Sequence, residues 1–387
     1  MLRILTLSTL FPDASRPTFG VFVERQTLGL AAREGVEVEV VAPLGLPPFP
    51  LSLGPRHRAL RRLPQCETWK GAIVHRPRFA SLPKLPALAP AAMARALLPR
   101  LREIRERFPF DVIDAEFFWP DGPAAMQLSA ALGIPFSVKA RGNDIHYWAG
   151  VPGCTGQIVA AGHAAGGVLA VSAALREVMI GFGMPADRIA VHQTGIDRDR
   201  FRPVERVAAK AGLGVSGPLV VTVGALIRRK GHALAIDAIA KLPGVAMLMV
   251  GAGPDRGRLE AIIRGKGLAD RVRLLGARPH AELPGLMAAA DILLLMSTSE
   301  GLANVWVEAL ACGTPIVIGD VGGAREVLTS RNAGRLAKFD AAAVADAVRD
   351  VLADTPDQEA VRHTVDRFSW DRNAQELEAH LRKVAGR

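Results

Sequence analysis

Cysteine is scarce in this chain. Cys66, Cys154 and Cys312 are widely spaced and odd in number, and no C-x-x-C occurs. Neither a disulfide framework nor a zinc site is suggested, and a reduced, cytoplasmic setting fits. No uninterrupted apolar run reaches the ~18 residues that a membrane-spanning helix needs. The opening Met1-Leu-Arg-Ile-Leu-Thr-Leu-Ser8 enters a strand-like run directly, without a charged n-region and cleavage site, so no signal peptide is expected. Aromatic residues for stacking bases are few where the chain is most basic; Trp69 and Phe79 stand nearly alone there, which argues against nucleic-acid recognition. A dinucleotide fingerprint is also missing. Gly251-Ala-Gly253-Pro-Asp-Arg256-Gly257 follows a strand-like run, but G-x-G-x-x-G needs glycine where Arg256 stands, so a nicotinamide-dependent dehydrogenase is not supported.

What is present describes a folded α/β protein. Hydrophobic residues make up 49% and charged residues 22% of 387 positions, enough for two ordinary domains. Strand patterns fall at 3–7, 36–42, 72–76, 111–115, 136–140, 167–171 and 188–192. Helical patterns fall at 22–33, 90–107, 122–132 and 173–182. After a turn-rich connector, Thr194 to Pro203, the alternation resumes with strands at 219–224, 246–251, 272–276, 292–296 and 316–319. Its helices are expected near 233–241, 254–266, 281–289, 306–311 and 342–352. Such alternation predicts parallel sheets covered on both faces. The fold class expected is therefore α/β, with two Rossmann-like doubly wound domains and a cleft between them. The expected boundaries are 1–195 and 196–370, followed by a last helix within 371–387 that could belong to either domain.

The charge is unevenly placed. Residues 56–107 hold thirteen Lys/Arg against Glu67, Glu103 and Glu106, which equals the net charge of +10 for the whole chain. This excess points to an anionic surface. The segment 82–98 is rich in Leu, Ala, Pro and Met, and an apolar stretch flanked by Arg is closer to interfacial membrane binding than to RNA recognition. A solvated basic face is the alternative.

The most informative stretch is Glu300-Gly-Leu-Ala-Asn304-Val-Trp-Val-Glu308. The apolar run Asp291–Met296 before it reads as a buried parallel strand, so Glu300 lies on a loop at a strand's carboxyl end. A helix starting near Asn304 carries Glu308 about one turn in. Ligands of doubly wound sheets bind at that edge, and a helix N-terminus favours an anion. A sugar nucleotide suits this frame: the helix end holds a diphosphate and the carboxylates hold hydroxyls. Val221-Thr-Val-Gly224-Ala-Leu-Ile-Arg228-Arg229-Lys230-Gly231 supplies three cations at another strand end, and Gly224 is expected to let the backbone approach a ligand. In the N-terminal half, Gly20 is a candidate for close phosphate approach. Arg141, Asp144 and His146 follow the strand at 136–140 as candidate substrate contacts. Asp197-Arg-Asp199 spells a D-x-D, but it lies in the connector and reads as structural.

Together these residues resemble the retaining family 4 glycosyltransferases of the GT-B fold, of the bacterial cell-surface polysaccharide type. The resemblance runs through Gly20 to Gln26, Arg141 to Asp144, Thr194 to Asp197, Gly224 to Gly231, Gly251 to Gly253, Ser299 to Gly301 with Asn304 and Glu308, Gly313 to Pro315, and Gly322-Gly323. It implies a nucleotide-diphosphate-sugar donor on the C-terminal domain and an acceptor on the N-terminal one. Lys230 then contacts the diphosphate, Glu300 the donor sugar and Glu308 the ribose. Main-chain N–H groups over Gly301, Leu302, Ala303, Asn304 and Val305 face sugar and phosphate. The loop 276–280, with Arg278, sits by the base, and Gly20 faces the phosphates. The chain departs from the family at Ala225, where Arg is common, at Arg141, where many members have His, and at Thr194. Arg228 or Arg229 is the candidate replacement for the missing charge. Arg141 cannot be a general base at neutral pH, so its implied role is positioning or charge stabilisation.

The expectation is a glycosyltransferase acting on a lipid-linked or saccharide acceptor, with no cofactor and no metal. It is expected in the cytoplasm and peripherally on the inner face of the cytoplasmic membrane. A GT-B sugar-nucleotide epimerase and a non-catalytic sugar-nucleotide or lipid-binding protein are the alternatives.

Overall fold

A computed structural model describes residues 1–387. The chain forms two compact units, residues 1–195 with 370–387, and residues 196–369.

In the first unit, strands β1 (Leu2–Leu7), β2 (Val36–Val41), β3 (Leu44–Leu46), β4 (Cys66–Trp69), β5 (Ala72–His75), β6 (Arg78–Ala80), β7 (Val112–Ala115), β8 (Phe136–Ala140), β9 (Gly167–Ala170) and β10 (Ile189–Val191) alternate with helices. Eight of them make one sheet in the order β10-β9-β8-β7-β1-β2-β5-β4, while β3 and β6 pair separately. Every pairing is parallel except β4 with β5. Strand β1 is buried along almost its whole length, as a near-continuous apolar run between two helix layers requires. The order reverses at β1, which has β2 on one side and β7 on the other, so a crevice opens beyond their carboxyl ends. The last helix, Trp370–Val384, packs on this unit: Leu377 and Leu381 share a core with Leu2, Ile4, Leu30 and Val112.

In the second unit, β11 (Leu219–Val223), β12 (Ala246–Val250), β13 (Val272–Gly276), β14 (Ile292–Leu295), β15 (Ile316–Gly319) and β16 (Gly334–Ala337) form an all-parallel sheet. Its order is β13-β12-β11-β14-β15-β16, so the reversal lies between β11 and β14. Its core includes Met247, Met249, Ile292, Leu294 and Val317, with Ile236 and Ile239 from the helix His232–Ala240.

The basic segment 56–107 is less open than its composition implies. Arg76 is completely buried, ion-paired to Glu67 and donating to the Pro12 carbonyl. Arg107 pairs with buried Glu39, Lys70 with buried Glu24, and Arg100 with Glu103. Arg78 and Arg105 donate to main-chain carbonyls. Folding thus spends part of the excess on carboxylates outside the segment. The cations left without a carboxylate include Arg56, Arg58, Arg61 and Arg62 on the helix Pro55–Arg62. The apolar residues also divide. Met93 and Leu97 are core residues, whereas Leu85 and Leu88 are exposed together with Phe49, Leu51 and Leu53.

Candidate active site

The switch point of the second sheet collects the expected donor-site residues. After β11 the chain makes a single turn of 3-10 helix, Arg228–Lys230, and Lys230 is aimed at the loop that follows β14. There its ammonium pairs with Glu300, whose side chain is only 10% exposed. Arg229 Nη1 donates to the Ser299 carbonyl at 2.6 Å and lies 3.9 Å from the Glu300 carboxylate, while Arg228 is exposed. The turn closes on Gly231, with φ +67°, where a Cβ would lie 2.0 Å from the Met296 carbonyl oxygen. Only glycine allows Lys230 to be presented this way. Gly224 is different: a Cβ there meets only the Lys230 methylenes at 3.8 Å. Tight backbone packing is found at Gly251, with φ +153°, where a Cβ would fall 1.8 Å from the Gly224 oxygen. The glycine pair that resembled a dinucleotide fingerprint is a packing requirement between β11 and β12.

The other wall is the helix Asn304–Ala311. Gly301, Leu302 and Ala303 are buried, Asn304 and Val305 half-buried, and no side chain caps the helix N-terminus. Its first N–H groups are therefore available to an anion, where the helix dipole favours negative charge. Glu308 follows one turn on, 3.5 Å from His280 Nε2, and His280 meets Phe201 edge-on at 5.6 Å. Arg278 is exposed, 3.6 Å from Glu282. Gly322 packs so closely on this loop that a Cβ would lie 2.1 Å from the Glu300 oxygen, and Gly323 N–H donates to the Gly301 carbonyl. The Gly-Gly pair thereby holds the Glu300 loop. In the connector, Asp197 accepts the N–H of Arg200 at 3.1 Å and shapes a turn.

The candidates of the first unit take different places. Gly20 has φ +69° and turns against the Leu10 carbonyl, 2.3 Å from where a Cβ would stand, as the helix Val21–Ala31 begins. Arg141 is not an open cation. Its Nε donates to the Glu116 carbonyl at 2.8 Å, its Nη2 pairs with the Glu116 carboxylate, and its guanidinium lies 4.9 Å from the Phe22 ring centre. Asp144 is fully buried and accepts N–H bonds from Phe118, Arg141 and Gly142. That occupation makes it a staple of the loop after β8. His146 is exposed at the end of the short helix Asn143–His146.

Sequence reasoning missed the buried polar network beneath Arg141. Lys139, wholly inside, donates to Gln26 Oε1 and His192 Nδ1, both at 2.7 Å, and Gln26 donates to Glu116. His192 Nε2 must then carry the proton it gives to the Asn373 carbonyl at 2.9 Å, which ties the last helix to β10. Burial raises the Asp114 carboxyl well above its ordinary range and neighbouring Glu116 adds to this. Burial opposes ionisation of Glu116 too, but Arg141 and Lys139 hold it below the usual carboxylate value. Burial, with Arg141 nearby, brings Lys139 down to about 7. Apart from Gln26, at the end of the Gly20–Gln26 stretch, these residues carry no motif, and polar positions in and beside strands are meaningful only once their neighbours are known.

Asp121 gives a test of this interior. It is fully buried, accepts the Thr9 N–H at 2.8 Å through one oxygen, and its other oxygen has no partner. Burial pushes its carboxyl up to about 7. Between about pH 4 and 7 the folded state holds a proton that the unfolded state has lost, so the contribution of Asp121 to stability falls as pH rises through this window. Asp121→Asn keeps the acceptor for Thr9 and is expected to flatten that fall. Hydrogen exchange of the β1 and β7 amides, corrected for intrinsic rates, measures it; identical pH profiles for wild type and variant would contradict a neutral Asp121.

Comparison with known proteins bears on the family and the fold. The profile described as "Glycosyltransferase Family 4" matches residues 20–200, and "Glycosyl transferases group 1" matches residues 204–367. TuaC of Bacillus subtilis, named for a glycosyltransferase of teichuronic acid biosynthesis, is 31% identical over 83% of this chain and 82% of its own length. The chain belongs to glycosyltransferase family 4. The D-inositol 3-phosphate glycosyltransferase of Mycobacterium tuberculosis is 34% identical over 54% of this chain and 47% of that protein. Among solved structures, sucrose-phosphate synthase from Thermosynechococcus elongatus superposes with a TM-score of 0.83 at 21% identity over 100% of both chains. Anabaena HepE in complex with UDP gives 0.74 at 22% identity, over 98% of this chain and 99% of that one. These likenesses show the GT-B fold for this family 4 glycosyltransferase. No helix of it is long and apolar enough to cross a membrane.

Proposed function

We propose that this family 4 glycosyltransferase moves a sugar, with retention of anomeric configuration, from a nucleotide-diphosphate sugar to a lipid-linked or saccharide acceptor, a cell-surface polysaccharide precursor. One observation carries the donor half: Lys230 and Arg229 converge on Glu300 beside the uncapped helix at Asn304 at a single switch point, with Arg228 exposed on the same turn. HepE, which shares the fold, was solved with UDP and with UDP-glucose, and TuaC is named for teichuronic acid biosynthesis. Both support the same reading.

The chemistry is electrostatic. Charge builds on the nucleoside diphosphate as the glycosidic bond breaks, and fixed donors aimed at that position lower the barrier. Lys230, Arg228 and the first N–H groups of Asn304–Ala311 supply them, and Glu308 suits ribose hydroxyls. With the charge met by the protein, no metal is needed. Purified enzyme incubated with a panel of nucleotide sugars, with and without membrane extract, is expected to release nucleotide and glycosylate lipid. Chelator should leave most of the activity, and the anomeric centre of the product should match the donor. Strict Mg²⁺ or Mn²⁺ dependence would reopen the Asp197–Asp199 reading. Altered sugar without acceptor would indicate an epimerase, and binding without turnover a non-catalytic protein.

Peripheral membrane binding belongs to the same proposal. Arg58, Arg61 and Arg62, with exposed Phe49, Leu51, Leu53, Leu85 and Leu88, make a basic and apolar surface. Each cation near an anionic surface adds about 1 kcal/mol, acting within about 8 Å at physiological salt. Replacing the three arginines with Gln is expected to lower affinity for anionic vesicles without changing donor binding in the other unit. Equal partition onto neutral and anionic vesicles would favour the solvated-face reading.

A further inference from the structure

The first sheet has its own switch point, between β1 and β7, and a cavity of about 320 Å³ opens there. Thr9, Leu10 and Phe19 line it from the loop after β1, and Phe117 and Trp119 from the loop after β7. Trp148 stacks on Trp119 with ring centres 6.0 Å apart. The outer wall is Leu44, Leu60, Phe79 and Leu82. No carboxylate lines the cavity, and its two cations differ. Arg16 is neutralised by Asp13 at 2.6 Å, whereas exposed Arg56 has no ion-pair partner. From Pro43 to Cys66, and again from Thr68 to Arg102, the chain has no Asp or Glu. Leu51, Leu53, Leu85 and Leu88 are exposed and flank the lining residues in sequence.

An apolar cavity at a switch point, one cation without an ion-pair partner on its rim and exposed leucines beside the lining segments in sequence suit a ligand with one anionic group on a long apolar chain. We infer that this cavity is the acceptor subsite and takes a lipid phosphate. The phosphate meets Arg56, the first units of the chain fill the apolar wall, and the rest leaves over Leu51, Leu53, Leu85 and Leu88. The inference rests on the glycosyltransferase reading above and narrows its acceptor from a saccharide or lipid to a lipid phosphate.

The test is calorimetric titration of the full-length protein with farnesyl monophosphate, farnesol and inorganic phosphate. Farnesyl monophosphate is expected to bind, farnesol on the order of tenfold more weakly, the scale of one charge-assisted contact, and inorganic phosphate not measurably. Arg56→Gln, an exposed change, should bring farnesyl monophosphate down to the farnesol level. Ser81→Phe, which fills the cavity, should remove binding of both. Equal affinity in wild type and Arg56→Gln, or inorganic phosphate binding as tightly as the lipid, would overturn the proposal. Absence of farnesyl monophosphate binding by a protein that turns over a nucleotide sugar in the panel assay would overturn it too, leaving the transferase reading intact. Absence of turnover with every donor and acceptor would instead count against the transferase reading.

Discussion

Lys230→Ala and Glu300→Gln are each expected to cut turnover by ~10²-fold or more, the scale of losing one preorganised charge stabiliser. The two side chains pair at adjoining strand ends, so without donor each satisfies the other. An incoming diphosphate then competes for Lys230, and a sugar hydroxyl takes the place of the ammonium at the Glu300 carboxylate. Lys230→Ala leaves Glu300 nearly buried with Arg229 at 3.9 Å. Glu300→Gln keeps size and one acceptor but loses the charge that holds Lys230. Both should lower kcat and kcat/KM together, since the lost interactions strengthen as charge develops. Glu308→Ala should act mainly on donor binding and raise KM. Full activity in both Lys230→Ala and Glu300→Gln would place the chemistry elsewhere.

Arg141→Ala is expected to destabilise the first unit by about 3–5 kcal/mol, because it takes the ion-pair partner from a buried carboxylate and leaves it only Gln26 and nearby Lys139. Glu116 is completely buried, and Arg141 satisfies both its carboxylate and its main-chain oxygen. The double change Arg141→Met with Glu116→Met removes both charges and should recover most of that stability, as buried pairs exchanged for apolar residues often do. Hydrogen exchange of the β7 and β8 amides separates this unit from the other. If Arg141→Ala is as stable as wild type yet inactive, the guanidinium serves a ligand rather than Glu116.

The strands that pattern reading located share one property. β8, β13 and β15 are short stretches bounded by turn residues and apolar apart from Ser137, Lys139 and Arg273, and the observed ends coincide with the expected ones. The elements it missed carry weaker patterns. β16, Gly334-Arg-Leu-Ala337, has an arginine in the middle and is a strand because it pairs with β15; a Cβ at Gly334 would lie 1.8 Å from the Ile316 oxygen. β4, Cys66-Glu-Thr-Trp69, alternates exposed and half-buried residues at a sheet edge and is held by β5. The helix Thr155–Ala164, Thr-Gly-Gln-Ile-Val-Ala-Ala-Gly-His-Ala, contains two glycines that weaken its helical signal, yet it packs against the helix Asp121–Leu132.

By itself the sequence determined the α/β class and the Glu300–Glu308 frame, because alternation of short apolar strands with helices and the position of a loop after a strand are local properties. Tertiary structure decided what each charge does. Arg141 and Arg228 are indistinguishable as arginines; one is sealed against Glu116 and the other is left exposed, since burial depends on which strand ends meet. The same holds for Asp144, taken up by three backbone N–H groups, and for the basic segment, part of whose charge is consumed by Glu24 and Glu39 from distant positions. Charge sums are additive along a chain, but pairing is set by packing, so the cations still open to a ligand emerged only from the fold.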